Sequence, residues 1–443
     1  MSDALDLSGA RDLIAEMFAA GIAFADPRVA VRSHLAFHDG AITVGGKRII
    51  LGDGRVVALA VGKAAVPMAL GLRDVLGDRI DAGIVLTKDG HVPPGVALPG
   101  FIVREASHPV PDERGVRATR EVLDLVSDLG PEDTAIALIS GGGSALLEAP
   151  ADDLSVADIQ AVTSAMLRAG APIQDLNAVR SELSLVKGGG LRRAIGPARC
   201  LSLILSDVLG NDPTVIASGP TVERRVDPAR AVALLERYGA LDSAPAAIRA
   251  WLGRGSGSAA SGVANPDDVW AVMADNASFV QAMADVAQAR GHRTEIVWRA
   301  IEGEARERGA AFVELCAGMP EDVDVVLGGG ETTVTVRGEG VGGRNTEFAL
   351  AAAIALDATG DNDWSIASLA SDGDDGGNRG AAGAVVDAGT IERSRALGLD
   401  AEAALAANDS GTLLAATGDL FRCDPTGTNV NDAYIGVRVR RRS

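Results

Sequence analysis

The chain has 443 residues, 47% of them hydrophobic, enough apolar material for two or three domains at roughly 150 residues each. Lys and Arg total 41 against 60 Asp and Glu, leaving a net charge of -19, and aromatic side chains make up only 3%. That balance argues against a nucleic-acid track and against stacking platforms for bases, and three scattered cysteines (Cys200, Cys316, Cys423) argue against a disulfide framework or a structural zinc site.

The first residues are acidic and continue as an amphipathic helix, without the positive and apolar regions of a signal peptide. No apolar run approaches the ~18 residues that span a bilayer, so a soluble, cytoplasmic protein with no membrane and no nucleic-acid partner is expected. His34 and His38, four apart beside Asp39, read as a surface helix rather than a metal pair. Apolar runs at 55–61 (RVVALAV), 82–87 (AGIVLT), 134–139 (TAIALI) and 201–205 (LSLIL), with a further strand at 101–104, predict strands buried on both faces. That pattern belongs to a parallel sheet between helix layers, an α/β/α domain.

Several loops follow these strands directly. Gly62-Lys63 after the first run aims an ammonium at the carboxyl edge of the sheet, where an anion would sit. Ser140-Gly141-Gly142-Gly143-Ser144 after 134–139 exposes successive backbone N–H groups, an anion cradle. Asn177, Arg180, Ser184 and Lys187 recur at helical spacing, a polar and cationic stripe that suits a solvated face or the wall of an anion site. Asp207 and Asp212 form an acidic pair on the loop after 201–205.

The stretch 253–268 (GRGSGSAASGVANPDD) loses all periodicity and reads as a linker between domains 1–252 and 269–443. Beyond it come a strand at 269–274, a helix near 277–290, strands at 293–297 and 324–327, and the second glycine loop Gly328-Gly329-Gly330-Glu331. An alternating strand is expected at 332–337 (TTVTVR) and an edge strand at 434–440. Gly338, Gly340 and Gly343 spell G-x-G-x-x-G, but they close a hairpin-like element, so a loop presenting Arg344 to an anion is preferred over a dinucleotide site. Asp372, Asp374 and Asp375, three carboxylates in four residues after a strand at 365–369, suit a hard cation such as Mg²⁺ or an exposed acidic turn. No P-loop, protein-kinase sequence set or G-x-S-x-G elbow is present.

The strings AVGKAAVPMA (from Ala60), SHPVPD (from Ser107), LISGGGSALL (from Leu138), LNAVRSELSLVKGG (from Leu176) and SDVLGNDPTVIASGPT (from Ser206) resemble the glycerate 2-kinase family, also labelled hydroxypyruvate reductase or MOFRL. So do GGGETTVTVRGEGVGGRNTEFAL (from Gly328), ASDGDDG (from Ala370), AANDS (from Ala406) and TGTNVNDAYI (from Thr426). The resemblance runs through both halves in order. It implies a large N-terminal α/β/α domain and a smaller C-terminal α/β domain enclosing a cleft, and phosphorylation of the 2-hydroxyl of D-glycerate by ATP with Mg²⁺.

It also implies catalytic roles for Lys63 and Arg344. Substrate or nucleotide contacts are then expected from Ser140, Gly141, Gly142, Gly143, Ser144, Asn177, Arg180, Lys187, Gly329, Glu331 and Asn345, and metal ligation from Asp207, Asp372 and Asp375. The alternatives are an NAD(P)H-dependent hydroxypyruvate reductase or a non-catalytic nucleotide or sugar-acid binding protein. The partners expected are small molecules, and the sequence leaves room for a homodimer.

Overall fold

The computed structural model describes residues 5–223, 227–254, 265–360, 363–376 and 380–439, so most of the expected linker (255–264) lies outside the described residues. The chain divides into two compact units, Pro27–Met273 and a second made of Met1–Asp26 with Ala274–Ser443. The N-terminal helix Leu7–Phe24 therefore groups with Ala274–Ser443, whereas the sequence expectation kept it in a domain 1–252 ahead of a linker at 253–268. Asp6 caps this helix by accepting the Gly9 N–H, and it packs on the helix Asn276–Ala289. Gly21 makes the close approach: a Cβ there would sit 2.6 Å from the Phe279 ring.

In the unit Pro27–Met273, β1 (Leu35–His38), β2 (Ala41–Val44) and β3 (Lys47–Ile50) form a small antiparallel sheet. His34 ends a helix and His38 ends β1, so the two are not on one helix face. The main sheet comprises β4 (Val56–Val61), β5 (Ala82–Lys88), β6 (Phe101–Ala106), β7 (Thr134–Ile139), β8 (Arg199–Leu205) and β9 (Val269–Ala274), in the order β6-β5-β4-β7-β8-β9. Every pairing from β6 to β8 is parallel. All residues of β4, β7 and β8 are buried, as continuous apolar runs require when helices cover both faces.

The second unit is built on a mixed sheet of β10 (Thr294–Ile301), β11 (Val325–Gly330), β12 (Trp364–Ala370), β13 (Gly383–Val386), β14 (Leu420–Phe421) and β15 (Asp432–Arg438), ordered β10-β11-β15-β12-β13-β14. Only β10 and β11 pair in parallel; the remaining neighbours are antiparallel. β15 is thus interior rather than an edge, paired with β11 over Asp432–Val437 and with β12 over Asp432–Arg438. The alternating run 332–337 is not a strand: Thr333 makes one bridge to Glu304, whose carboxylate also accepts the Thr335 N–H, and Val336 is exposed.

Candidate active site

The main sheet of Pro27–Met273 grows from β4 toward β6 on one side and from β7 toward β9 on the other. Ligands of open α/β sheets collect at such a reversal, beyond the carboxyl ends of the strands. Both strands there end in glycine turns, and the turns are stitched together. The Lys63 N–H donates to Gly141 O (2.9 Å), and the Ala64 N–H donates to Ser140 Oγ (3.1 Å). Gly62 sits at φ 120°, and a Cβ on it would overlap the Ser140 hydroxyl and carbonyl, so only glycine fits where the strands converge.

Gly142, at φ 84°, is the centre of the cradle: a Cβ there would lie 3.1 Å from Cδ2 and 3.2 Å from Nε2 of His108, and 3.3 Å from Lys63 Cγ. The imidazole and the lysine stem therefore converge over one glycine. Asp207, just past β8, lies against Gly141 on the other side, where a Cβ would overlap its carboxylate. His91 Nδ1 lies 3.1 Å from the Lys63 carbonyl. Among the described residues nothing hydrogen-bonds or ion-pairs the Lys63 ammonium, so it is available to an incoming anion. Burial first, then Lys63, Lys88 and His91, push His108 down to about 4.

The residues behind the cradle support it rather than line it, which corrects the ligand-binding expectation for several of them. Ser140 is buried, and its hydroxyl is spent on the ends of the two turns. The helix expected to carry Asn177 through Lys187 is Ile173–Glu182, and all four polar residues of the stripe are buried. Glu148, with no exposed surface, draws them inward: Lys187 Nζ lies 3.0 Å from Glu148 Oε2 and donates to Leu147 O (2.8 Å). Arg180 lies 3.6 Å from the same carboxylate and donates to Ser144 O (2.6 Å). Burial pulls Lys187 down to about 8 against the opposing pull of Glu148. A buried carboxylate demands such partners.

Ser218 donates to Asn177 Oδ1 (2.9 Å), so the 2.7 Å contact between Ser144 and Ser218 must run from Ser144 Oγ–H to Ser218 Oγ. Ala217 and Ser218 both hold positive φ to make that turn, a strain of about 1 kcal/mol or more per residue. Gly143 is required because a Cβ would press on Ala217 at 2.8 Å.

In the second unit, the end of β11, the start of β15 and the loop after β12 meet at one edge, since Gly330 and Ala370 both pair with Asp432. Arg344, first residue of the helix Arg344–Thr359, forks onto Asp432 through Nε (2.6 Å) and Nη2 (2.8 Å), and its Nη1 lies 3.3 Å from Glu331. Asn431 holds the other Glu331 oxygen at 2.9 Å. Asp432 has no exposed surface, and burial pushes it up to about 6 even beside Arg344. Burial opposes the charge on Arg344, but Asp432, Glu331 and Asp375 outweigh it and raise its pKa.

Three expectations for this edge are corrected. Asp375 is not placed as a metal ligand. Its two oxygens accept the Asn345 and Thr346 N–H groups (2.8 Å each) and the Thr346 hydroxyl (2.7 Å), so a carboxylate from a distant loop caps the helix. Gly328, Gly329 and Gly330 are ladder residues of β11 rather than a phosphate loop, and Gly329 is glycine because Asn276 packs where its Cβ would be. Asn345 is fully buried and accepts the Ser368 hydroxyl at 2.6 Å, fastening the helix to β12.

The glycines at 338, 340 and 343 follow no strand and open no βαβ unit; they let the chain lie against Ala407, Asp409 and Asp375. Asp372 accepts the Asp374 N–H at 3.1 Å. No set of three or more His, Cys, Asp or Glu among the described residues is arranged to hold a metal by itself. Mg²⁺ bound chiefly through nucleotide phosphates needs only one or two carboxylates, and Asp207 at the cradle fits that role.

Residues 13–253 match the model of a domain of unknown function (DUF4147), and residues 324–432 match the MOFRL family. A D-glycerate 2-kinase of Thermotoga maritima is 40% identical over 87% of this chain and 91% of its own length, and a glycerate 2-kinase of Pyrococcus horikoshii is 35% identical over 98% of each. The chain belongs to the glycerate 2-kinase family. The crystal structure of a glycerate kinase from Thermotoga maritima matches with a TM-score of 0.85 at 35% identity, covering 97% of this chain and 99% of that one. An Agrobacterium vitis relative, 40% identical over 96% of this chain and 93% of its own, carries the provisional name hydroxypyruvate reductase.

Family membership gives the missed residues a place. His108 lies in SHPVPD, Ser218 in SDVLGNDPTVIASGPT and Asp432 in TGTNVNDAYI, strings that carried the resemblance without any of the three being singled out. Glu148 and His91 had no signal of their own: only the fold shows that one anchors Arg180 and Lys187 and the other abuts the Lys63 backbone.

Proposed function

We infer that this chain is a kinase that transfers the γ-phosphoryl group of ATP to the 2-hydroxyl of D-glycerate, giving 2-phosphoglycerate and ADP. The observation that carries the reading is the Lys63 ammonium at the β4/β7 reversal, without a partner among the described residues, in a chain 40% identical to a D-glycerate 2-kinase over 87% of its length. Phosphoryl transfer needs positioning and charge neutralisation more than covalent chemistry. Lys63 supplies charge to phosphate oxygens while Gly141 and Gly142 keep the backbone open to them. Arg344, held in place by Asp432 and Glu331, is the other cation that the family resemblance implicates in the chemistry. Asp207 would hold Mg²⁺, which supplies further charge to the phosphates, and Asp372 is a second candidate ligand.

The reductase alternative loses its one sequence support, since the glycines at 338–343 are packed by Ala407, Asp409 and Asp375 rather than set at a strand-to-helix turn. A cytoplasmic location is part of the proposal and accords with three free cysteines. No helix among the described residues is long and apolar enough to cross a membrane. Incubation with ATP, Mg²⁺ and D-glycerate, followed by phosphorus NMR and by coupling to enolase, is expected to show ADP and the 2-phosphate ester. Formation of the 3-phosphate would refute the regiochemistry, and tight binding without turnover would favour a sensor. Oxidation of NADH or NADPH by hydroxypyruvate would favour the reductase. Light scattering tests the homodimer.

A further inference from the structure

The cradle carries two histidines that the phosphoryl-transfer reading leaves unused. Lys88 ends β5, His91 follows three residues later, and His108 follows the end of β6, so all three come from the carboxyl ends of β5 and β6, the two strands on one side of β4, where Lys63 begins its loop. The two imidazoles do different things. The Lys63 carbonyl only accepts, so His91 Nδ1 carries the proton and donates to it at 3.1 Å. With the Gly141 and Ser140 bonds, His91 fixes the Lys63 backbone from a third direction.

His108 has no such task. It is half-buried, and among the described residues neither ring nitrogen makes a hydrogen bond. Its Nε2 edge nevertheless lies over Gly142 beside the Lys63 stem. A half-buried imidazole and a lysine, neither with a side-chain partner among the described residues, converge on the same glycine backbone.

We propose that His108 is a substrate-contacting residue of the Lys63 site, its Nε2–H donating to an oxygen of the phosphate that Lys63 attracts. The proposal rests on the reading of Lys63 as a phosphate-binding cation. The groups that face this corner are Lys63, Lys88 and His91, with Asp207 against Gly141, and with Asp89 and Glu105 near His91 held by Arg114 and the Gly90 N–H. A third full cation there would be repelled by Lys63 and Lys88. A neutral imidazole adds a directed donor without that repulsion, and histidine alone can also take up a proton when an anion arrives.

The test uses the full chain with isotope-labelled histidine, the His108 resonance being assigned by its loss in His108→Gln. Inorganic pyrophosphate is expected to move that resonance and raise its titration midpoint. Lys63→Met is expected to raise the midpoint in the free protein and to weaken the pyrophosphate effect. In the ATP and D-glycerate assay, His108→Ala is expected to lower kcat/KM about ten- to a hundred-fold, the scale of one hydrogen bond to a charged group. His108→Gln, which keeps a donor near Nε2, is expected to recover most of that loss.

A His108 resonance unmoved by pyrophosphate, while others move, overturns the proposal whatever the kinetics. So does a folded His108→Ala enzyme with wild-type kcat/KM. Movement with D-glycerate but not pyrophosphate assigns the contact to a carboxylate and sinks the phosphate role. The pyrophosphate arm reads the contact without an acceptor, so a protein that does not phosphorylate D-glycerate still decides it.

Discussion

Replacing Arg344 by Gln removes the fork that holds Asp432, a carboxyl group with no exposed surface. Stranding one charge of a buried pair costs about 3–5 kcal/mol, but proton uptake sets a lower ceiling here. With Arg344 present, Asp432 already titrates near 6, so at pH 7.5 its neutral form lies only about 2 kcal/mol above the ionised one, at about 1.4 kcal/mol per pH unit. Without the guanidinium the neutral form takes over. The expected destabilisation is therefore about 2 kcal/mol at pH 7.5, grows by about 1.4 kcal/mol per unit above that, and vanishes near pH 6.

The sign follows from the raised pKa. In the wild type, Asp432's contribution is complete below its unfolded value and is lost as pH rises to about 6. In the variant the loss continues at higher pH. For a unit of this size the effect corresponds to a Tm lowered by about 4–8 °C at pH 7.5. Thermal melts of Arg344→Gln at pH 6 and 8 measure it, and Asp432→Asn in the same background should abolish the pH dependence without restoring activity. Equal Tm depressions at the two pH values would refute the argument that protonation of Asp432 absorbs the missing charge.

Lys63→Met tests the opposite situation, a cation with no partner among the described residues. Its kcat should fall about 10²–10³-fold, the size of one lost transition-state contact, while stability stays within about 0.5 kcal/mol; an unchanged rate would remove Lys63 from the chemistry. Asp375→Ala deletes three donors' acceptor at the start of the helix Arg344–Thr359 and should cost about 1–3 kcal/mol while leaving the Mg²⁺ concentration dependence of the rate as it was. A tenfold weaker Mg²⁺ response with an unchanged melt would return Asp375 to the metal. Gly62→Ala forces a side chain into φ 120° and against Ser140, so Tm and kcat should drop together, by about 2 kcal/mol or more in stability; a wild-type melt would mean that β4 and β7 are not locked there.

The strands of the parallel sheet were legible because burial on both faces writes itself into unbroken apolar runs such as 55–61 and 134–139, and the loops after them were legible because glycine marks backbone that must come close to something. What glycine does not mark is which partner comes close. At Gly62 the neighbour is Ser140 and at Gly142 it is His108 and Lys63, whereas at Gly329 it is Asn276 and at 338 and 343 it is Ala407 and Asp375. The same composition therefore read as a phosphate loop in places where it serves packing.

Charge misled in a related way. Asp375 beside Asp372 and Asp374 looked like a cation trap, yet the N–H groups at a helix start consume it, and Lys187 and Arg180 looked like a ligand wall until Glu148 turned them inward. In each case the deciding partner is a residue more than twenty positions away whose own sequence context is ordinary. His108 is the converse: no local pattern raises it, and it stands out only because the fold sets its ring beside Lys63 with no hydrogen-bond partner among the described residues. An unsatisfied polar group in a closed structure is a stronger pointer to chemistry than any cluster of charges in a string, because satisfied clusters are what folding itself produces.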